Sequence, residues 1–312
     1  MLSIKKMKYK KTAIVIVAIV VVAVLVGRVL SGDQDAPAPD RLVFAFQRQA
    51  DPRQVQEKAE NLAAILSEEL GIRVEVLVPA SYGASVQALV SNRAHVAYLS
   101  SIPFLLAREE APVELLLAEV RDERTEYDSI FVVAKDSPYE TIEDLRGARM
   151  MWTSATSASG YVFPYSRLVR EEFLQRGEDP ARFFSRVNYA GGYDRALDAV
   201  VRGQADVCAV SYYTMEGDRA DLYISGENRE KLRVLERTPG VPTHLLSVRS
   251  DLPEDLRERL KRVLLRLSEE QPDLFADVYG AASFKAVEED EHVRMAVEAL
   301  ENTGLAAGRL VR

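Results

Sequence analysis

The segment RMMWTSATSASGYVFPYSRLVREEFLQR, residues 149–176, reads as a strand, a hydroxyl-rich loop and a helix in immediate succession. Arg149 to Trp152 is a short apolar strand, and Gly160 to Arg176 has helical spacing. Between them stand Thr153, Ser154, Thr156, Ser157 and Ser159. A helix start presents unpaired N–H groups and the positive end of the helix dipole. Hydroxyls added there make a cradle for a phosphate-like oxyanion that needs no cation. The same residues also suit a plainer role, one serine capping the helix and the rest forming a polar loop.

The strand–loop–helix rhythm extends both ways from this segment. Upstream, Leu42–Phe46 reads as a strand and Val55–Leu70 as an amphipathic helix. The helix carries Leu62, Ile65, Leu66 and Leu70 on one face and ends at Gly71. Val74–Val78, Val96–Leu99, Val113–Val120 and Ser129–Lys135 read as strands, with helices at Ser85–Ser91 and Phe104–Glu110. Downstream, strands at Val187–Ala190, Val207–Val210, Leu232–Glu236 and Thr243–Val248 enclose a helix at Asp194–Arg202. A long helix at Asp255–Glu269 follows, and the remainder is helical to about Glu301. This alternation predicts mostly parallel sheets flanked by helices. Two sets of elements, with no repeat of 20 to 50 residues, fit two α/β lobes better than one.

The N-terminus differs from the body. Lys5, Lys6, Lys8, Lys10 and Lys11 precede the apolar run AIVIVAIVVVAVLVG, residues 13–27. A basic leader before an apolar run is a signal peptide or signal anchor, residues 1–30, that sends the rest of the chain across the membrane. Leu30-Ser31-Gly32-Asp33 resembles a lipoprotein processing box, with Asp33 where the lipidated cysteine belongs. Lipidation is therefore excluded, and a peptide anchor is favoured over cleavage. Residues 31–40, including the Pro-Ala-Asp run 33–40, form an extended linker. Residues 1–30 carry six basic residues and no acid, so without them the net charge goes from −8 to −14. An acidic body argues against nucleic acid. Cys208 is the single cysteine, and His95, His244 and His292 are scattered, so no metal site and no cofactor is expected.

A second loop follows the same logic. Gly191-Gly192-Tyr193-Asp194 joins a strand to a helix, with Asp194 placed as its cap. Tyr82, Tyr127, Tyr212 and Tyr213 are further polar aromatics, each an ordinary packing residue when taken alone. No nucleophile elbow, zinc-protease motif or P-loop is present, which argues against an enzyme.

Four stretches together resemble the phosphate/phosphite/phosphonate-binding components of ABC transporters, which are type II periplasmic binding proteins. They are LAAILSEELG (62–71) with Tyr82; HVAYLSSIPF (95–104); TSASGYVFP (156–164), similar to x-S-T-S-G-Y-x-x-P; and GGYD (191–194) with ADVCAVS (205–211), similar to G-G-H-D and D-A-G-A-V. The resemblance implies a two-lobe α/β fold with a hinge. Lobe one would be residues 41–133 plus 243–312 and lobe two residues 134–242. The crossings would lie near Val133–Asp136 and Arg237–Thr243. It implies an extracytoplasmic solute receptor, acting as a monomer with an ABC permease and tethered to the cytoplasmic membrane, or secreted after cleavage. Its ligand would be a small oxyanion. Carried over by position, the implied ligand residues are Tyr82, Tyr127, Ser157, Ala158, Ser159, Gly160, Tyr193, Asp194 and Ser211. Ala158 replaces the motif's threonine and Tyr193 its histidine, removing a hydroxyl and a possible cation. A membrane-anchored sensing domain for a different small molecule is the alternative.

Overall fold

The computed structural model describes residues 39–46, 52–217, 220–281 and 283–305. The expected signal peptide or signal anchor, most of the expected linker and the last seven residues lie outside this range. Among the described residues no helix is long and apolar enough to cross a membrane.

The first sheet holds β1 (Arg41–Phe46), β2 (Arg73–Leu77), β3 (Val96–Leu99), β4 (Val113–Val120), β10 (Leu245–Arg249) and β11 (Ser283–Lys285), in the order β11-β4-β10-β3-β1-β2. Strand alternation divides its two faces. Leu42, Phe44 and Phe46 bury themselves with Leu62, Leu66 and Leu70 of helix α1 (Pro52–Leu70). The same layer takes Leu256, Leu260, Leu264 and Leu267 of α6 (Glu254–Glu270) and Phe275 of α7 (Pro272–Tyr279). Val43 and Ala45 point the other way, into a core with Val86 and Leu89 of α2 (Tyr82–Val90) and Ile102 and Leu105 of α3 (Ser101–Glu110). That second core runs on without a break into the other lobe.

The second sheet has the order β7-β6-β8-β5-β9, from β5 (Glu126–Ala134), β6 (Arg149–Trp152), β7 (Arg186–Tyr189), β8 (Val207–Ser211) and β9 (Leu232–Pro242). Helices α4 (Phe163–Arg170) and α5 (Tyr193–Val201) follow β6 and β7. The two-lobe α/β organisation is therefore as expected, but each sheet is mixed rather than mostly parallel. The βαβ units pair in parallel, whereas β10 in the first sheet and β5 in the second run antiparallel to their neighbours. These are the strands that begin where the chain arrives from the other sheet.

The chain passes between sheets after β4, through residues 121–125, and returns between β9 and β10, through Thr243 and His244. The two passages lie side by side. Thr243 N–H donates to Thr125 O (3.0 Å), and Thr243 Oγ1 donates to Glu119 O (2.6 Å). In the first passage Arg121 and Arg124 exchange backbone hydrogen bonds of 2.9 and 3.0 Å around Asp122 and Glu123. Both central residues are left-handed, with φ of 50° and 63°, as a type I′ turn requires.

This differs from the expected first boundary at 133/134, which falls inside β5. Residues Ser129–Val133 pair with β8, and Glu126–Ala134 pair along β9. The crossing was hidden because its tight turn contains neither glycine nor proline. The C-terminal boundary also shifts. Helix α8 (Glu289–Thr303) begins on the first lobe, where Glu289 meets Arg108 (2.6 Å) and Leu115 N (2.7 Å). It ends on the second lobe, where Asn302 Nδ2 donates to Ser166 Oγ (3.2 Å) and Gly177 N to Thr303 O (2.8 Å). It straps the two lobes together rather than belonging to one.

Candidate functional site

The hydroxyl loop after β6 ends in one wide π-type turn, Ala158–Val162, that runs directly into α4. Ser157 caps it, accepting from Gly160 N at 3.0 Å. Glycine is required at 160, since a Cβ there would lie 2.3 Å from Thr153 Oγ1 and 2.8 Å from Ser157 Oγ. The loop is closed on itself by Thr153 N donating to Gly160 O (3.1 Å), and Thr153 Oγ1 ties it to Ala209 O of β8 (3.0 Å). The second glycine loop is stitched to the first. Ala190 N donates to Trp152 O (2.9 Å) and Gly191 N to Thr153 O (2.7 Å). Two segments that looked alike in sequence thus open side by side at one end of the sheet.

Ser159 is the centre. Its Oγ shares hydrogen bonds with Ser211 Oγ (2.7 Å) and Tyr193 Oη (2.9 Å), and Tyr127 Oη reaches it at 3.4 Å. Ser211 and Tyr193 also bond each other at 3.0 Å. Ser129 Oγ fixes the backbone from beneath, donating to Ser159 O at 2.6 Å. These five side chains are all but completely buried, with Ser159 0% exposed. Tyr82 is the first residue of α2, whose N-cap Ser81 accepts from Ala84 N. Its phenol is pushed well up by burial, then by Tyr193, Tyr223, Tyr127 and Asp194, which places it electrostatically among them. Asp194 is half-buried in the first turn of α5. Ala158 is buried and contributes only a methyl group. Of the nine expected residues, Tyr127, Ser159, Tyr193 and Ser211 share one hydrogen-bonded cluster. Ser157 and Gly160 shape its floor, and Tyr82 and Asp194 lie at its margin.

A charged group stands at the lobe crossing behind this cup. Glu119 is fully buried at the end of β4 and accepts from Arg121 Nε (2.7 Å) and from Tyr98 Oη. His244 Nδ1 lies 3.6 Å from the same carboxylate. The His244 ring stacks between Tyr98 (5.1 Å between centroids) and Tyr127 (6.4 Å, 6° between planes). Burial holds its imidazole down to about 4, against the pull of Glu119 and with the help of Arg121. The Arg121 guanidinium lies 4.3 Å above the Tyr213 ring. It lines a cavity of about 370 Å³ between the lobes with Tyr212, Tyr213, Tyr223, Gly280 and Ser283.

Glu119, Arg121, His244, Ser129 and Tyr223 were not singled out from the sequence. One signal was present: Glu119 interrupts the apolar run Leu115-Leu116-Leu117-Ala118, where a lone acid marks either an edge or a buried partner.

A family model described as the periplasmic substrate-binding protein of phosphonate ABC transporters matches residues 44–292. Over 241 residues the chain is 24% identical to a probable ABC transporter phosphite binding protein, PhnD1, of Prochlorococcus marinus, covering 73% of this chain and 78% of that one. Over 200 residues it is 22% identical to the phosphonates-binding periplasmic protein of Escherichia coli, covering 62% of this chain and 56% of that protein. The solved structure of Prochlorococcus marinus PhnD1 in complex with methylphosphonate superposes with a TM-score of 0.74 at 19% identity, over 86% of this chain and 100% of that one.

Proposed function

The chain belongs to the periplasmic substrate-binding proteins of phosphonate ABC transporters, and on that footing we propose that its cup captures a small phosphorus oxyanion for import. The chain is a binding component, not an enzyme. The observation that carries the ligand assignment is the cluster of Ser159, Tyr193, Ser211 and Tyr127 hydroxyls at the start of a helix. Helix-start N–H groups and neutral hydroxyls suit an anion better than a carboxylate-lined pocket would. Ser157 and Gly160 set the turn, Tyr82 closes the cup from the first lobe, and Asp194 stands at the rim. Ligand entry displaces hydroxyl–hydroxyl bonds and turns those donors onto the oxyanion.

Ala158 and Tyr193 tune the cup. One hydroxyl is absent and a phenol stands where the family motif has an imidazole, so the cup suits a singly charged phosphonate or phosphite better than a dianion. In this reading the protein works as a monomer held at the outer face of the cytoplasmic membrane by residues 1–30, and delivers its ligand to a permease. The lobes hinge at residues 121–125 and 243–244. Isothermal calorimetry on the full chain in detergent tests the ligand, using methylphosphonate, phosphite and phosphate. Absence of binding to all three would remove the oxyanion assignment and leave the fold untouched.

A further inference from the structure

Tyr213 lies two residues beyond Ser211, in the short turn that follows β8. It is 4% exposed, and its Oη has no hydrogen-bond partner among the described residues. A buried hydroxyl left unpaired is a standing cost to the fold. The turn around it is well fixed: Thr214 Oγ1 donates to Ser211 O (2.7 Å) and Met215 N to Tyr212 O (2.9 Å). Its ring packs 5.6 Å from that of Tyr127 and 6.2 Å from that of Tyr193, the two phenols that reach Ser159. Thus a buried, unpaired phenol packs against two tyrosines of the hydroxyl cup.

Arg121 lies over a face of the same ring. The guanidinium is held by Glu119 through Nε (2.7 Å) and Nη2 (2.5 Å). Its carbon stands 4.3 Å from the ring centroid, within cation–π range. A positive charge on the ring face draws electron density from the phenol oxygen and makes its O–H a stronger donor. The arginine's field acts on Tyr213 in that sense, opposing the upward push of burial.

We infer that Tyr213 Oη is a further ligand contact of the cup, donating to a tetrahedral phosphorus oxyanion, and that Arg121 is the residue that positions and polarises it. This rests on the oxyanion reading above and refines it. The cup lacks the motif's hydroxyl at Ala158 and its imidazole at Tyr193. Tyr213 restores one donor, and Arg121 restores positive charge through the ring rather than by direct contact.

Calorimetric titration of the full chain in detergent with methylphosphonate tests this. Tyr213→Phe is expected to weaken binding about tenfold or more, the loss of a hydrogen bond to a charged group. Its ligand-free melting temperature should be unchanged or higher, because the unpaired hydroxyl is gone. A purely structural tyrosine would do the opposite, losing stability and keeping affinity. Arg121→Lys keeps the ion pair with Glu119 but not the flat stack. It should weaken binding several-fold in the wild-type background and have no further effect when combined with Tyr213→Phe. Wild-type affinity in Tyr213→Phe, beside a loss in Ser159→Ala, would overturn the inference and leave the proposed function standing. An equal Arg121→Lys effect in both backgrounds would overturn the positioning role. A wild-type chain that binds neither methylphosphonate, phosphite nor phosphate would overturn both readings.

Discussion

A methyl group at position 160 would sit 2.3 Å from Thr153 Oγ1, inside contact distance of a side chain that is itself tied to Ala209 O. Gly160→Ala is therefore expected to cost about 1–3 kcal/mol through overpacking, measurable by urea denaturation. An unchanged midpoint would mean that the turn relaxes freely. Ser159→Ala removes the common partner of Tyr193, Ser211 and Tyr127. It should lower methylphosphonate affinity about tenfold while Tyr193 and Ser211 stay bonded to each other. His244 carries a pH dependence. It faces Glu119, Arg121 and the rings of Tyr98 and Tyr127, and burial depresses it to about 4. Above pH about 6.5 it is neutral whether folded or unfolded and contributes nothing. As pH falls toward 4 the unfolded chain takes a proton that the folded one refuses, so stability is lost on acidification. The full difference is about 3 kcal/mol. His244→Gln should flatten the stability profile between pH 7 and 4 by about that amount. Depressed His95 and His292 act alike in both chains, so the comparison isolates His244. At this scale the hydroxyl loop was legible because it sits between a strand and a helix. Tyr213 stood out only as one polar aromatic among several, since an unpaired hydroxyl is defined by what surrounds it.

Among the elements, the crossing turn holds two successive left-handed residues, Asp122 and Glu123. Both residues adopt left-handed backbone without glycine, which costs about 1 kcal/mol or more for each residue that bears a Cβ. Asp122 gains from the hydrogen bond that Tyr212 Oη donates to it across the crossing. Glu123→Gly should relieve the strain, partly offset by the greater entropy of glycine in the unfolded chain, for a net gain of about 0.5–1 kcal/mol. Differential scanning calorimetry would show this as a melting temperature raised by a few degrees; a fall would contradict it. Strand and helix positions were readable from local periodicity, and α1, α5 and α6 lie close to their expected bounds. Membership of a sheet was not readable. β5 is an apolar run that would suit either sheet, and only its pairing with β8 and β9 assigns it to the second.

In the whole molecule the cup is sealed: Tyr82, Tyr127, Ser159 and Tyr193 are each no more than 6% exposed. On the proposed function, a ligand reaches them when the lobes part about the paired crossings, while α8 spans both lobes. The observed association rate for methylphosphonate, followed by tyrosine fluorescence in stopped flow, should therefore level off at high ligand concentration. A rate rising linearly throughout would mean that the cup is open to solvent at rest. The α/β alternation, the two sets of elements and the hydroxyl-rich helix start are written in the local sequence, because they are carried by side-chain period and by neighbours in the chain. Tertiary structure alone decided where the chain changes sheets. It also brought Ser159 to Tyr193 and Ser211, 34 and 52 residues away, and placed Glu119 and Arg121 behind Tyr213. Those outcomes depend on strand pairing and side-chain packing between remote segments, which no local pattern specifies.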